Sequence, residues 1–114
     1  MEQYLEWLKE YALKLKEEEK ALIESDRKDE ATFSRIRANI ADIMKTTAQT
    51  LSRAKTNDFD RAYLAQFARL RETWTSSLEK AEAHDDVEKA VIEKIKLETL
   101  LKIRAAFLKS RRPL

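Results

Sequence analysis

The chain has 114 residues, 43% of them hydrophobic and 39% charged, with a net charge of +2, one proline and neither glycine nor cysteine. The length suits one domain, and the composition excludes glycine-built phosphate cradles and dinucleotide turns, nucleophile elbows, disulfides and zinc–thiolate centres. Tight hairpins want glycine or asparagine and strands want β-branched runs between turn signals; neither pattern is present, and an all-helical chain needs neither.

The first predicted element is a helix over residues 2–24. Tyr4, Leu8, Tyr11, Leu15 and Leu22 recur at helical spacing, Leu5, Trp7 and Ala12 flank them, and Leu13 falls off the stripe. Glu18 takes the place that would complete the repeat: either an inward polar group or the point where the stripe meets water. Ser25-Asp26 interrupts the pattern and offers a polar cap to the next helix. That second helix, 28–55, has the clearest amphipathic pattern. Phe33, Ile36, Ile40, Ile43, Thr47, Leu51 and Ala54 follow one another in steps of three and four, with Met44 beside them. Arg35, Ala38, Asp42, Gln49 and Arg53 lie opposite and define the expected wet side.

Thr56-Asn57 makes the next break, since asparagine tolerates the left-handed conformation, and Asp58 caps a third helix over 59–83. Its stripe is Phe59, Tyr63, Phe67, Leu70, Trp74, Leu78 and Ala81, with Leu64 outside it. His84-Asp85-Asp86 is the third break, and Asp85 with Glu88 has capping-box spacing. The fourth helix, 86–110, is apolar around most of its circumference, which calls for burial on more than one side. Pro113 follows where it cannot harm the helix.

Four helices of similar length joined by short connections predict an antiparallel up-down-up-down four-helix bundle over residues 1–114. Segment charges support that order: residues 1–24 hold 4 basic and 7 acidic side chains, 25–57 hold 7 and 4, 58–84 hold 4 and 5, and 85–114 hold 8 and 5. In a square bundle each helix then faces neighbours of opposite sign. The runner-up is a three-helix bundle with the first two segments fused.

No constellation of residues carries chemistry. His84, the lone histidine, reads as a turn residue near a helix C-terminus, where a cation is favoured. Ala81 stands three residues before it, so the Glu-x-x-His pair of a di-metal carboxylate bundle is missing. The chain reads as non-enzymatic, with no catalytic residue, metal or cofactor. The fourth helix has two apolar sides, Val91, Ile95 and Ile103 on one and Leu97, Leu101 and Leu108 on another, and a single bundle centre takes only one. The second side, with Leu100 and the off-stripe Leu13 and Leu64, is therefore the expected interface of a homodimer. The alternative is a nucleic-acid-binding accessory protein that uses the basic helices and the tail, Lys109, Arg111 and Arg112.

The stretch RKDEATFSRIRANIADI, residues 27–43, resembles a recurring segment of short, all-helical bacterial proteins of unassigned function. The resemblance implies a bacterial cytoplasmic protein and carries over no catalytic residue. The absence of cysteine and of a basic-then-apolar leader agrees with a reducing compartment, and no stretch approaches the roughly 20 apolar residues of a membrane span. The resulting expectation is a self-associating protein–protein interaction module with an unknown protein partner.

Overall fold

The computed structural model describes residues 1–54 and 57–111, which form four helices: α1 (Glu2–Glu24), α2 (Lys28–Arg53), α3 (Phe59–Ala83) and α4 (Val87–Ser110). They pack as an antiparallel four-helix bundle, α1 against α2 and α3 against α4 along most of their lengths. The second helix stops at Arg53, earlier than the spacing predicts; its predicted end at Lys55, and Thr56, Arg112 and Pro113, lie outside the described residues.

The cross-section is a flattened rhombus rather than the square that helix charges suggest. Helices α2 and α4, both net basic, touch across the short diagonal, while α1 and α3 stay apart at the far corners. Small side chains line much of the buried side of α2, where α1 packs most closely of all. Ala31, Ser34, Ala38, Ala41 and Ala48 are all buried on α2, and a face of methyls and one hydroxyl lets a neighbouring backbone come close. The expected register of α2 is corrected accordingly: Ala38, assigned to the wet side, is 2% exposed, whereas Ile43, assigned to the stripe, is 43% exposed. Large residues mark the hydrophobic pattern most visibly, but where helices come close the inner face belongs to alanine.

Two of the three turns solve the missing-glycine problem in the same way. The Asp26 N–H donates to the Ile23 carbonyl (3.0 Å) and the Arg27 N–H to Leu22 (2.8 Å); the Asp85 N–H donates to Glu82 (3.2 Å) and the Asp86 N–H to Ala81 (2.9 Å). Each is a Schellman closure, whose αL position normally holds glycine. Here aspartate occupies it, with φ of 58° at Asp26 and 54° at Asp85. These roles differ from the predicted ones. Asp26 closes α1 instead of capping α2, and the cap of α4 is Asp86, whose carboxylate accepts from the Lys89 N–H, rather than Asp85. Asp58 caps α3 as expected, accepting from the Arg61 N–H.

The large buried side chains gather toward one end, where α1 and α3 begin and α2 and α4 finish. Tyr4, Leu8, Met44, Tyr63, Phe67, Leu100, Ile103 and Phe107 are buried there. Toward the opposite end the buried set is smaller or polar: Ala31, Ser34, Ala38, Ala81, Glu93 and Thr99, with Leu15 and Ile95.

Two outcomes test this fold. Ile40→Asp buries an unpaired carboxylate at a site 3% exposed, so urea unfolding should show a loss of about 3 kcal/mol or more; a variant as stable as the parent would mean Ile40 faces water. Asp26→Gly and Asp85→Gly relieve a Cβ-bearing residue of the left-handed conformation, and each should gain about 0.5–1 kcal/mol. Loss of stability in either would show that the carboxylate contributes more than the backbone strain costs.

Candidate functional site

The packed end is built on a relay of hydroxyls. Tyr63 Oη lies 3.0 Å from the carbonyl oxygen of Met44 and 2.6 Å from Tyr4 Oη, all buried. A carbonyl only accepts, so the one proton of Tyr63 goes to Met44. Tyr4 must then donate to Tyr63. The Met44 carbonyl is free to take a second bond because a helical carbonyl keeps a spare lone pair, and Ala48, one turn on, sets only a methyl beside it. The Phe107 ring meets Tyr4 edge-on at 5.1 Å and Tyr63 at 4.8 Å. One point thus joins α1, the α2 backbone, α3 and α4. Burial pushes the Tyr4 hydroxyl up to about 12, with the Arg111 charge opposing it. Burial, with Tyr4 adjoining, raises Tyr63 further above the ordinary phenol value.

Arg111 covers this end. Its guanidinium sits 4.9 Å over the Phe107 ring, 3.1 Å from the Asp60 carboxylate and 3.9 Å from the Met1 sulfur. The tail reading is therefore corrected for this residue: Arg111 is half-buried and engaged inside the fold, not presented to a ligand. Lys109 is exposed, and Arg112 lies outside the described residues.

The expected dimer residues do not form one patch. Leu100 is 1% exposed and belongs to the core, which corrects its assignment to an interface. Leu101 is 45% exposed, and Leu97, Leu108 and Leu64 are half-buried. Leu64 and Leu101 come together in a groove of about 460 Å³ between α3 and α4, flanked by Arg71, Arg104, Glu72 and Glu79. Leu13 is 49% exposed on α1, does not line this groove, and stands apart from it.

Other side chains fall into smaller roles. His84 is exposed at the end of α3, and its Nδ1, 2.8 Å from the Lys80 carbonyl, donates to it. Glu18 is exposed; it lines a groove of about 390 Å³ between α1 and α4 with Tyr11, Lys14, Arg37 and Lys102. The Lys102 ammonium lies 5.0 Å over the Tyr11 ring, and burial raises that phenol's pKa. Sequence reasoning missed Glu93, which is 4% exposed and held on one oxygen by Lys96 at 3.2 Å, the ammonium also lying 5.7 Å over the Trp74 ring. The signal was present, since Glu93, Leu100 and Phe107 are seven apart and share one column of α4. Glu93 Oε2 and Ser34 Oγ are buried without a hydrogen-bond partner among the described residues. No group of His, Asp or Glu among the described residues could hold a metal ion, and no described helix is long and apolar enough to cross a membrane.

No protein-family model, curated protein or solved structure matches the chain.

The relay makes an asymmetric prediction. Tyr63→Phe strands the buried Tyr4 hydroxyl and should cost about 2–3 kcal/mol, whereas Tyr4→Phe leaves the Tyr63–Met44 bond intact and should cost about 1 kcal/mol. The double variant should cost less than the sum. Equal and additive costs would contradict the donor order. Because the folded pKa values are raised, the stabilisation is complete below the ordinary phenol value of about 10. It is lost as pH rises through about 12 for Tyr4. Urea midpoints at pH 9 and 11 should fall more for the parent than for the double Phe variant; an equal fall would contradict the relay.

Proposed function

We propose that the protein is a non-enzymatic helical interaction module that self-associates as a homodimer through the α3/α4 groove. One observation carries this reading: Leu101 stands 45% exposed in the α3/α4 groove with the half-buried Leu64. That leaves an apolar strip along the seam of two helices with water over it. Patches of a few hundred Å² on a monomer are commonly covered by a partner, and a twofold copy is the most frequent cover. Charge supports self-complementarity, because the same groove carries Arg71 and Arg104 with Glu72 and Glu79. Under a twofold axis the arginines of one copy can face the glutamates of the other. In this reading Leu13 has no part. The resemblance of residues 27–43 to bacterial helical proteins supports a bacterial cytoplasmic setting for the module in this reading.

Light-scattering mass across a dilution series tests the proposal. The parent should give a dimer mass that falls on dilution, and Leu101→Glu should give a folded monomer by circular dichroism, since the site is exposed and a carboxylate there strains no core. Leu13→Glu should leave the dimer unchanged. A monomer mass for the parent at every concentration overturns the reading; a dimer indifferent to Leu101→Glu places the contact elsewhere.

A further inference from the structure

The end of the bundle opposite the tyrosines carries a second apolar surface, unconnected with the α3/α4 groove. Val87 is 73% exposed and Val91 38% exposed on the first turns of α4. Val91 lines two depressions at once. One, of about 430 Å³, lies between the N-terminal turns of α2 and α4 and includes Phe33, Ile92, Asp29 and Glu88. The other, of about 290 Å³, lies at the α3–α4 turn and includes Val87, Glu82, Asp85, Asp86 and Lys94. Together they present Phe33, Ile92, Val91 and Val87 as an apolar run edged by five carboxylates and one ammonium.

Helix capping explains part of this rim. Asp29, Asp86 and Glu88 sit at helix N-termini, where negative charge is favoured. It does not explain Glu82, in the last turn of α3, where a carboxylate faces the negative end of the helix. Nor does it explain two valines left in water. Cations at the adjoining α1–α2 turn are committed locally: Arg27 pairs with Glu30, and Lys28 lies 3.9 Å from Asp26. None of Asp29, Glu82, Asp85, Asp86 or Glu88 has an ion-pair partner within 4.0 Å among the described residues.

We propose that this acid-edged apolar face docks a basic amphipathic helix of another protein. The seam between the N-terminal turns of α2 and α4 accepts a helix ridge as helix seams do. The incoming apolar stripe would cover Val87, Val91, Ile92 and Phe33 while its lysines or arginines meet the carboxylates. The five carboxylates repel nucleic acid and anionic lipid alike, and they form no metal-holding group, which leaves a cationic polypeptide as the occupant that fits both the charge and the apolar floor.

A fluorescently labelled synthetic helix of leucine and lysine, patterned with one apolar face, tests this by anisotropy against the intact protein. It should bind saturably at low salt and weaken severalfold when salt is raised to about 0.3 M, where screening shortens to a few ångströms. Val87→Ser with Val91→Ser should weaken binding about tenfold, the scale of two lost apolar contacts; both sites are exposed, and circular dichroism checks the fold. Glu82→Gln with Glu88→Gln should flatten the salt dependence, and Leu101→Glu should leave affinity unchanged, which separates this surface from the dimer groove. The proposal is overturned if the peptide does not bind at low salt, if a leucine–glutamate peptide binds as well, or if the valine pair is indifferent. It is overturned too if the valine pair lowers the protein's own mass in light scattering, for then the occupant is a second copy.

Discussion

Two phenols meeting tip to tip set the geometry of this bundle. Helices α1 and α3 sit at the distant corners of the rhombus and are too far apart to pack ridge into groove. Tyr4 and Tyr63 bridge them through a 2.6 Å hydroxyl contact. A buried hydroxyl without a partner is costly, so Tyr4 needs Tyr63, and Tyr63 needs a final acceptor. The Met44 carbonyl supplies it, 3.0 Å away. That acceptor lies at one height along α2. The relay thereby fixes the axial register of α1 and α3 against α2, which apolar packing alone leaves looser. Phe107 fills the angle between the rings and ties α4 to the same point.

The rest of the molecule is organised by distance from that point. Near it the core is aromatic and Arg111 closes it from outside. Farther along, the buried positions pass to alanine, serine and a glutamate held on one oxygen by Lys96. Burying a carboxylate costs unless its lone pairs are satisfied, and one oxygen of Glu93 has no partner among the described residues. Such an end contributes less to cohesion and leaves apolar side chains, Val87 and Val91 among them, half-clothed. On α4, Val87, Val91 and Leu101 stay exposed even though this helix meets all three others.

Much of this was legible in the sequence, and the rest was hidden for physical reasons. The helices α1, α3 and α4 appear with their predicted ranges to within a residue, because capping aspartates and breaks such as Ser25-Asp26 and His84-Asp85-Asp86 punctuate the pattern. The inner face of α3 was readable because large side chains mark it. That of α2 was readable at Ile40 and Met44 but not at Ala31, Ser34, Ala38, Ala41 and Ala48, because small residues are equally at home on a surface. The second apolar side of α4 was readable as Leu97, Leu101 and Leu108, but Leu100, one residue from Leu101, turns inward; a hundred degrees of helix decides between core and surface. Arg111 reads as a free tail cation, since neither Asp60 nor Phe107 is near it in sequence. The tyrosine relay could not be read at all: pattern predicts burial of Tyr4 and Tyr63, but not that their oxygens meet.

Cohesion is concentrated at the tyrosine end, and native-state hydrogen exchange measures it amide by amide. The helix-interior amides of Leu8–Ala12, Ala41–Ala48, Phe67 and Leu100–Ile103 should exchange slowest, through global unfolding. Those of Ala31–Ala38, Ser77–Ala81 and Val91–Ile95 should open earlier, and Tyr63→Phe should erase most of the difference. Equal protection along all four helices, or slower exchange around Ser34 and Glu93 than around Met44, would contradict it.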